Sequence, residues 1–360
     1  MKASSLRPVT RRNMITYAII ILAYVVVQIL SATGSLSYLF TGLLVPICVY
    51  VILAVSLNLT VGVLGELSLG HAGFMCVGAY AGSMFAIVTQ DVLTSAWVRF
   101  PLALLVGGIA AAVFGVLIGL PVLRLRGDYL AIVTLAFGEI IRALAGVLYL
   151  GQDSSGLHVA FGQNSSMQLE AGGREIFQGP QGIMSTPRDA SFTVGIILIL
   201  ITLFVVTNMM DSRAGRAVMS IRDNRIAAES VGINITKYKL LAFSVSAFFA
   251  GIAGTLYSHN LATVPPNTFD YNMSIMILVM VVLGGMGSIR GSVIAAVLLT
   301  ALPELLRGLQ DYRMLIYSII LILAMILNNN EKVKTAVKKV TGRIKGWFKR
   351  FKKPAGEGAK

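Results

Sequence analysis

The sequence predicts an all-α polytopic membrane protein with about ten transmembrane helices, some interrupted by glycine, and a polar cytoplasmic loop. Three observations predict it. Of 360 residues, 56% are hydrophobic and only 13% are charged, whereas soluble domains carry about 25% charged residues; mean hydropathy is +0.79. Apolar runs of bilayer-crossing length, roughly 17–25 residues, recur from residue 14 to residue 328. When those runs alternate across a membrane, Lys and Arg collect on one side.

Taken in order, residues 1–13 carry Lys2, Arg7, Arg11 and Arg12 with no acid, and form a cytoplasmic N-terminus. The run from Met14 to Leu30 is longer than a signal-peptide core and lacks a cleavage site, which predicts an anchor. The predicted spans are 14–30, 37–58, 70–89, 100–121, 129–150, 192–209, 239–258, 272–286, 291–306 and 312–328. With the N-terminus inside, 24 Lys/Arg fall on the inner side and five on the outer, with Arg142 inside a span. That bias places both termini in the cytoplasm. The outer stretch 151–191 reads as a polar loop of net charge −2.

Two Gly-rich breaks interrupt the apolar pattern within the membrane domain, 14–330. The first, Val61 to Gly73, contains Gly65, Glu66, Ser68, Gly70, His71 and Gly73; the second, Leu283 to Gly291, contains Gly284, Gly285, Gly287 and Gly291. Broken helices at matching places in two halves point to a transport path. Close packing is the alternative, as expected of the small-residue faces Gly78/Gly82 and Gly115/Gly119. In the fifth span, Glu139 lies about 15 Å along the helix, with Arg142 one turn further on the same face. Charges at that depth are expensive, so the two either pair structurally or line the path.

The polar island 211–239 carries Arg213, Arg216, Arg222, Arg225, Lys237 and Lys239 between spanning runs. Ala214, Ala217, Val218 and Ile221 recur at helical spacing. Asp223 or Asn224 caps a second short helix, Ile226 to Val231, which Gly232 stops in a left-handed conformation. Such a knob suits docking into a partner's groove. At the other end, 331–360 is a basic tail whose residues 331–353 hold ten Lys/Arg against one Glu. Val333, Val337, Val340, Ile344 and Phe351 share a face there, which predicts an amphipathic helix on anionic lipid; a disordered basic tail is the alternative.

The same inventory excludes several classes. The net charge of +14 concentrates in that tail, so nucleic acid is not an expected partner. Cys48 and Cys76 have no disulfide or zinc spacing and read as small buried hydrophobes. His71, His158 and His259 are isolated, read as satisfied polar residues, and no metal site is expected. There is no GxxxxGK[ST], HExxH or GxSxG. The chain is therefore expected to be no enzyme and to bind no cofactor.

Several of these stretches resemble one family. Gly215-Arg216, Ile221-Arg222-Asp223-Asn224 and Ile226-Ala227-Ala228-Glu229-Ser230-Val231-Gly232 resemble the cytoplasmic loop of ABC importer permeases, the branched-chain amino-acid family, M-type subunit. Leu67-Ser68-Leu69-Gly70-His71-Ala72-Gly73-Phe74 and the run from Arg124 through Glu139 to Arg142 resemble the same family. Arg225 departs from it, since an acid is usual there. The resemblance implies a transport subunit of the bacterial cell membrane that works by alternating access. It implies a heterodimer with a homologous permease, two cytoplasmic ATPase subunits that use the ATP, and an extracytoplasmic substrate-binding protein. Urea or a short amide is the alternative substrate. An ion-coupled secondary transporter is the alternative class, with few intramembrane acids to support it.

Overall fold

The computed structural model describes residues 8–34, 37–125, 127–153, 156–162, 173–306 and isolated positions between 312 and 322. Residues 1–301 form one compact unit and 302–360 a second. The tenth predicted span and the basic tail lie mostly or wholly outside the described residues.

Helix α1 spans Pro8–Ala32 and α2 Tyr38–Asn58, which continues through a π-helical turn, Leu59–Leu64. Then come α3 (His71–Val88), α4 (Ala96–Val122) and α5 (Asp128–Val147). Helices α6 (Phe192–Asp211), α7 (Arg213–Asp223), α8 (Arg225–Ser230) and α9 (Ile235–Ser258) follow. The last described helices are α10 (Tyr271–Gly284) and α11 (Ile289–Leu305). Among the described residues, six helices are long and apolar enough to cross a membrane: Phe40–Leu64, α3, α4, α5, α6 and α9; Thr16–Ala32 and α10 are shorter apolar helices.

The centre of the bundle is α3, α4 and α9, brought together by small residues. A Cβ on Gly78 would lie 2.2 Å from the Gly251 Cα, and one on Gly107 2.7 Å from the Gly78 carbonyl oxygen. Close backbones permit polar ties that a wider gap would break: Thr255 Oγ1 donates to the Gly78 carbonyl at 2.9 Å. Gly78, Gly82, Gly115 and Gly119 are thus packing residues.

An all-α fold is not what forms at one end. Five short strands, β1 (Leu148–Asp153), β2 (Gly156–Phe161), β3 (Arg174–Gln178), β4 (Ile183–Met184) and β5 (Thr263–Val264), make an antiparallel sheet in the order β2-β1-β3-β4-β5. Leu150, Ile176, Phe177, Ile183 and Val264 are buried in it. Tyr80 of α3 meets Phe177 with ring centroids 4.8 Å apart. The strands are too short for local alternation to announce them. Their last partner also arrives about eighty residues along the chain, so the predicted loop is in fact a sheet built by distant pairing.

Candidate functional site

The polar island folds as three capped helices in succession. The Ser212 hydroxyl accepts from the Gly215 amide at 3.2 Å and starts α7. Gly215 sits so close to the preceding turn that a Cβ would lie 2.3 Å from the Met209 and Met210 carbonyl oxygens. Arg216 donates to the Asp211 carbonyl at 3.0 Å. Asn224, not Asp223, caps α8, accepting from the Ala227 amide at 3.0 Å. Asn234 caps α9 through the Lys237 amide at 3.0 Å.

Gly232 has φ +85° and ends α8 as predicted. Its amide reaches the Glu229 carbonyl at 3.0 Å, and that of Ile233 the Ala228 carbonyl at 3.1 Å. These are the two bonds of a Schellman motif. The helix itself runs Arg225–Ser230, one residue earlier than the spacing suggested. Ile221, Ala228 and Ile235 form a small core beneath it, with Ile233 and Tyr238 packed alongside. Only Ala228 of α8 is buried, while Ala227, Glu229 and Ser230 are exposed. Ile226 and Val231 are 81% and 74% exposed. A one-helix knob thus presents apolar side chains at the surface.

This knob is fastened to the first Gly-rich break. The π-turn ends at Gly65, φ +78°, and the chain runs without regular structure to α3. Arg222 of α7 donates to the Gly62 carbonyl at 2.9 Å. Its methylenes cover Gly65, where a Cβ would lie 2.5 Å from Arg222 Cγ. Lys239, in the first turn of α9, is buried and ion-paired with Glu66. A cavity of about 200 Å³ beside the pair is lined by Arg222, Arg225 and Gly127 among others. Asp223 faces Arg222 at 3.2 Å.

The second break meets the first. The Gly287 amide donates to Asn58 Oδ1 at 2.8 Å, and a Cβ on Gly62 would lie 2.2 Å from the Gly287 nitrogen. Gly284 and Gly291 touch, with no room for a Cβ on either, and Gly285 has φ +91°. Arg290 donates to Thr16 Oγ1 at 2.6 Å. So Gly65, Glu66, Arg222, Asp223 and Gly287 gather at one end of the bundle.

The other predicted residues lie deeper or elsewhere. Gly70 and Gly73 pack on α5, where their Cβ atoms would lie 2.3 Å from the Thr134 carbonyl oxygen and 2.7 Å from the Gly138 Cα. His71 is buried, 2.9 Å from Ser56 Oγ. Ser68 is buried and has no hydrogen-bond partner among the described residues. Glu139 and Arg142 pair at 2.7 Å, each about 30% exposed, and Arg142 also donates to Asn267 at 2.8 Å. His259, expected to be satisfied, has only one ring nitrogen bonded among the described residues, Nδ1 with the Thr255 carbonyl at 2.9 Å. Sequence reasoning missed Asn58 and the burial of Lys239. A cation heading an apolar helix opposite a Glu in the break was the available signal for Lys239.

Apolar helices in a close-packed bundle, broken at glycines under a polar capped knob, define a multi-pass membrane protein. The chain belongs to the branched-chain amino acid transport system / permease component family, whose model matches residues 38–325. It is 39% identical over 289 residues to the high-affinity branched-chain amino acid transport system permease protein LivM of Salmonella typhimurium, covering 77% of this chain and 66% of that one. The Escherichia coli LivM is 38% identical with the same coverage. The ribose import permease protein RbsC of Haemophilus influenzae is 24% identical, covering 77% of this chain and 81% of that one. The chain thus spans just under two thirds of the length of its LivM relatives. No solved structure matches it.

Proposed function

We propose that this chain is the permease subunit of an ATP-driven importer of branched-chain amino acids. The observation that carries the reading is an exposed apolar knob in a chain without an ATP-binding loop. Helix α8 holds Ile226 and Val231 out from the bundle, in a chain with no GxxxxGK[ST] loop to bind ATP. Two ATPase subunits in the cytoplasm dock on 211–239 and use the ATP. A homologous permease completes the path as a heterodimer, and an extracytoplasmic binding protein delivers the amino acid. The chain crosses the bacterial membrane ten times with both termini inside. Glu139 and Arg142, a charged pair left partly open on a spanning helix, line the path. The names and identities of the LivM relatives favour branched-chain amino acids over urea or amides. Ion-coupled transport leaves α8 without a use.

Reconstitution with the binding protein tests this. Leucine uptake into vesicles carrying this chain, its partner permease and the ATPases should require ATP and resist ionophores. Uptake by this chain alone, driven by a proton or sodium gradient, would refute the reading.

A further inference from the structure

Motion at a docking helix moves substrate only if something carries it to the membrane helices. We propose that Glu66, Lys239, Arg222 and Asn58 are positioning residues that form this relay, joining 211–239 to both Gly-rich breaks. The inference rests on the permease reading and adds to it the route of coupling.

The contacts form a continuous line. Ala228 of α8 packs on Ile221 and Ile235, so a push on α8 reaches α7 and the start of α9 together. Each of those helices holds the first break by a separate contact, α7 through Arg222 on Gly62 and α9 through Lys239 on Glu66. From Gly62 the line passes to Gly287 through Asn58, whose side chain accepts the Gly287 amide. Gly62 adds no side chain of its own to that meeting, because a Cβ on it would overlap both Asn58 Oδ1 and the Gly287 nitrogen.

What receives the push departs from regular helix. A π-helical turn lacks the regular i→i−4 ladder and recurs at functional sites. The segment after it, 65–70, has no regular structure. A buried ion pair is weak evidence for stability, since apolar replacements of similar volume are often neutral. Lys239 is 3% exposed, and the pair holds a segment without regular structure against a helix. That is a means of transmitting position. Glu66, a candidate for the path by sequence, then acts at its cytoplasmic end through geometry and not by touching substrate.

The test uses the whole reconstituted complex and reads leucine imported per ATP hydrolysed. Glu66→Gln and Lys239→Gln should each lower that ratio about tenfold, within the usual range of coupling between sites. The ATPases should still copurify. The exchanged pair Glu66→Lys with Lys239→Glu should recover part of the ratio, and Lys239→Arg most of it. A double change to Glu66→Leu and Lys239→Met keeps the volume without the charges, so it serves if the single variants do not insert. A wild-type ratio in an inserted single variant or in that apolar pair would overturn the relay. If even the unaltered chain retains no ATPase, the permease reading fails instead.

Discussion

Gly232 shows how one backbone angle sets a surface. At φ +85° a Cβ would meet nothing within 4 Å, so the only obstacle to a side chain is the backbone itself. Gly232→Val should cost about 1–2 kcal/mol of local conformational energy and fray the end of α8. Gly232→Asn, which tolerates the left-handed region, should cost less. Both variants should insert normally, since no spanning helix is touched. Binding-protein-stimulated ATP hydrolysis should fall in the Val variant and stay closer to wild type in the Asn variant. Equal activity in the two would separate the motif from docking.

At the scale of elements, α2 with its π-turn and the α10–α11 break behave as one joint. Gly62→Ala places a methyl 2.0 Å from Asn58 Oδ1 and 2.2 Å from the Gly287 nitrogen, and backbone must shift to admit it. Overpacking of this kind typically costs about 1–3 kcal/mol, read as a lower unfolding temperature in detergent. Gly42→Ala, in α2 itself and with nothing within 4 Å, is the control and should match or exceed wild type, because alanine favours the helix. A destabilisation at Gly42 as large as at Gly62 would show that the joint is not specially packed.

At the scale of the whole molecule, the two breaks and 211–239 share one end of the bundle, and the sheet joins the far end of α5. The bias of 24 Lys/Arg to five fits the end carrying 211–239 being the cytoplasmic one. Ile226→Cys tests it. That position is 81% exposed, while native Cys48 and Cys76 are buried and add little background. A membrane-impermeant thiol reagent should label it in inside-out vesicles and not in right-side-out ones. Labelling from the outside alone would invert the topology and remove the ATPase from the picture.

Composition and periodicity determined that the chain is helical and apolar, and nearly where each described helix lies, because those signals depend on neighbours within a few turns. The same locality made α8 legible: a cap at Asn224, a short helix and a left-handed glycine at 232 all fall within nine residues. What only the tertiary structure decided depends on partners far apart in sequence. Lys239 is buried because Glu66 lies 173 residues away in the other half of the chain. Asn58 matters because Gly287 comes to it across 229 residues. The five-stranded sheet exists because β5 returns to β4. The breaks read as possible path lining from their glycines alone. Their contact with each other and with the loop, which makes them a joint, arises only when α2, α7, α9 and α10 pack together.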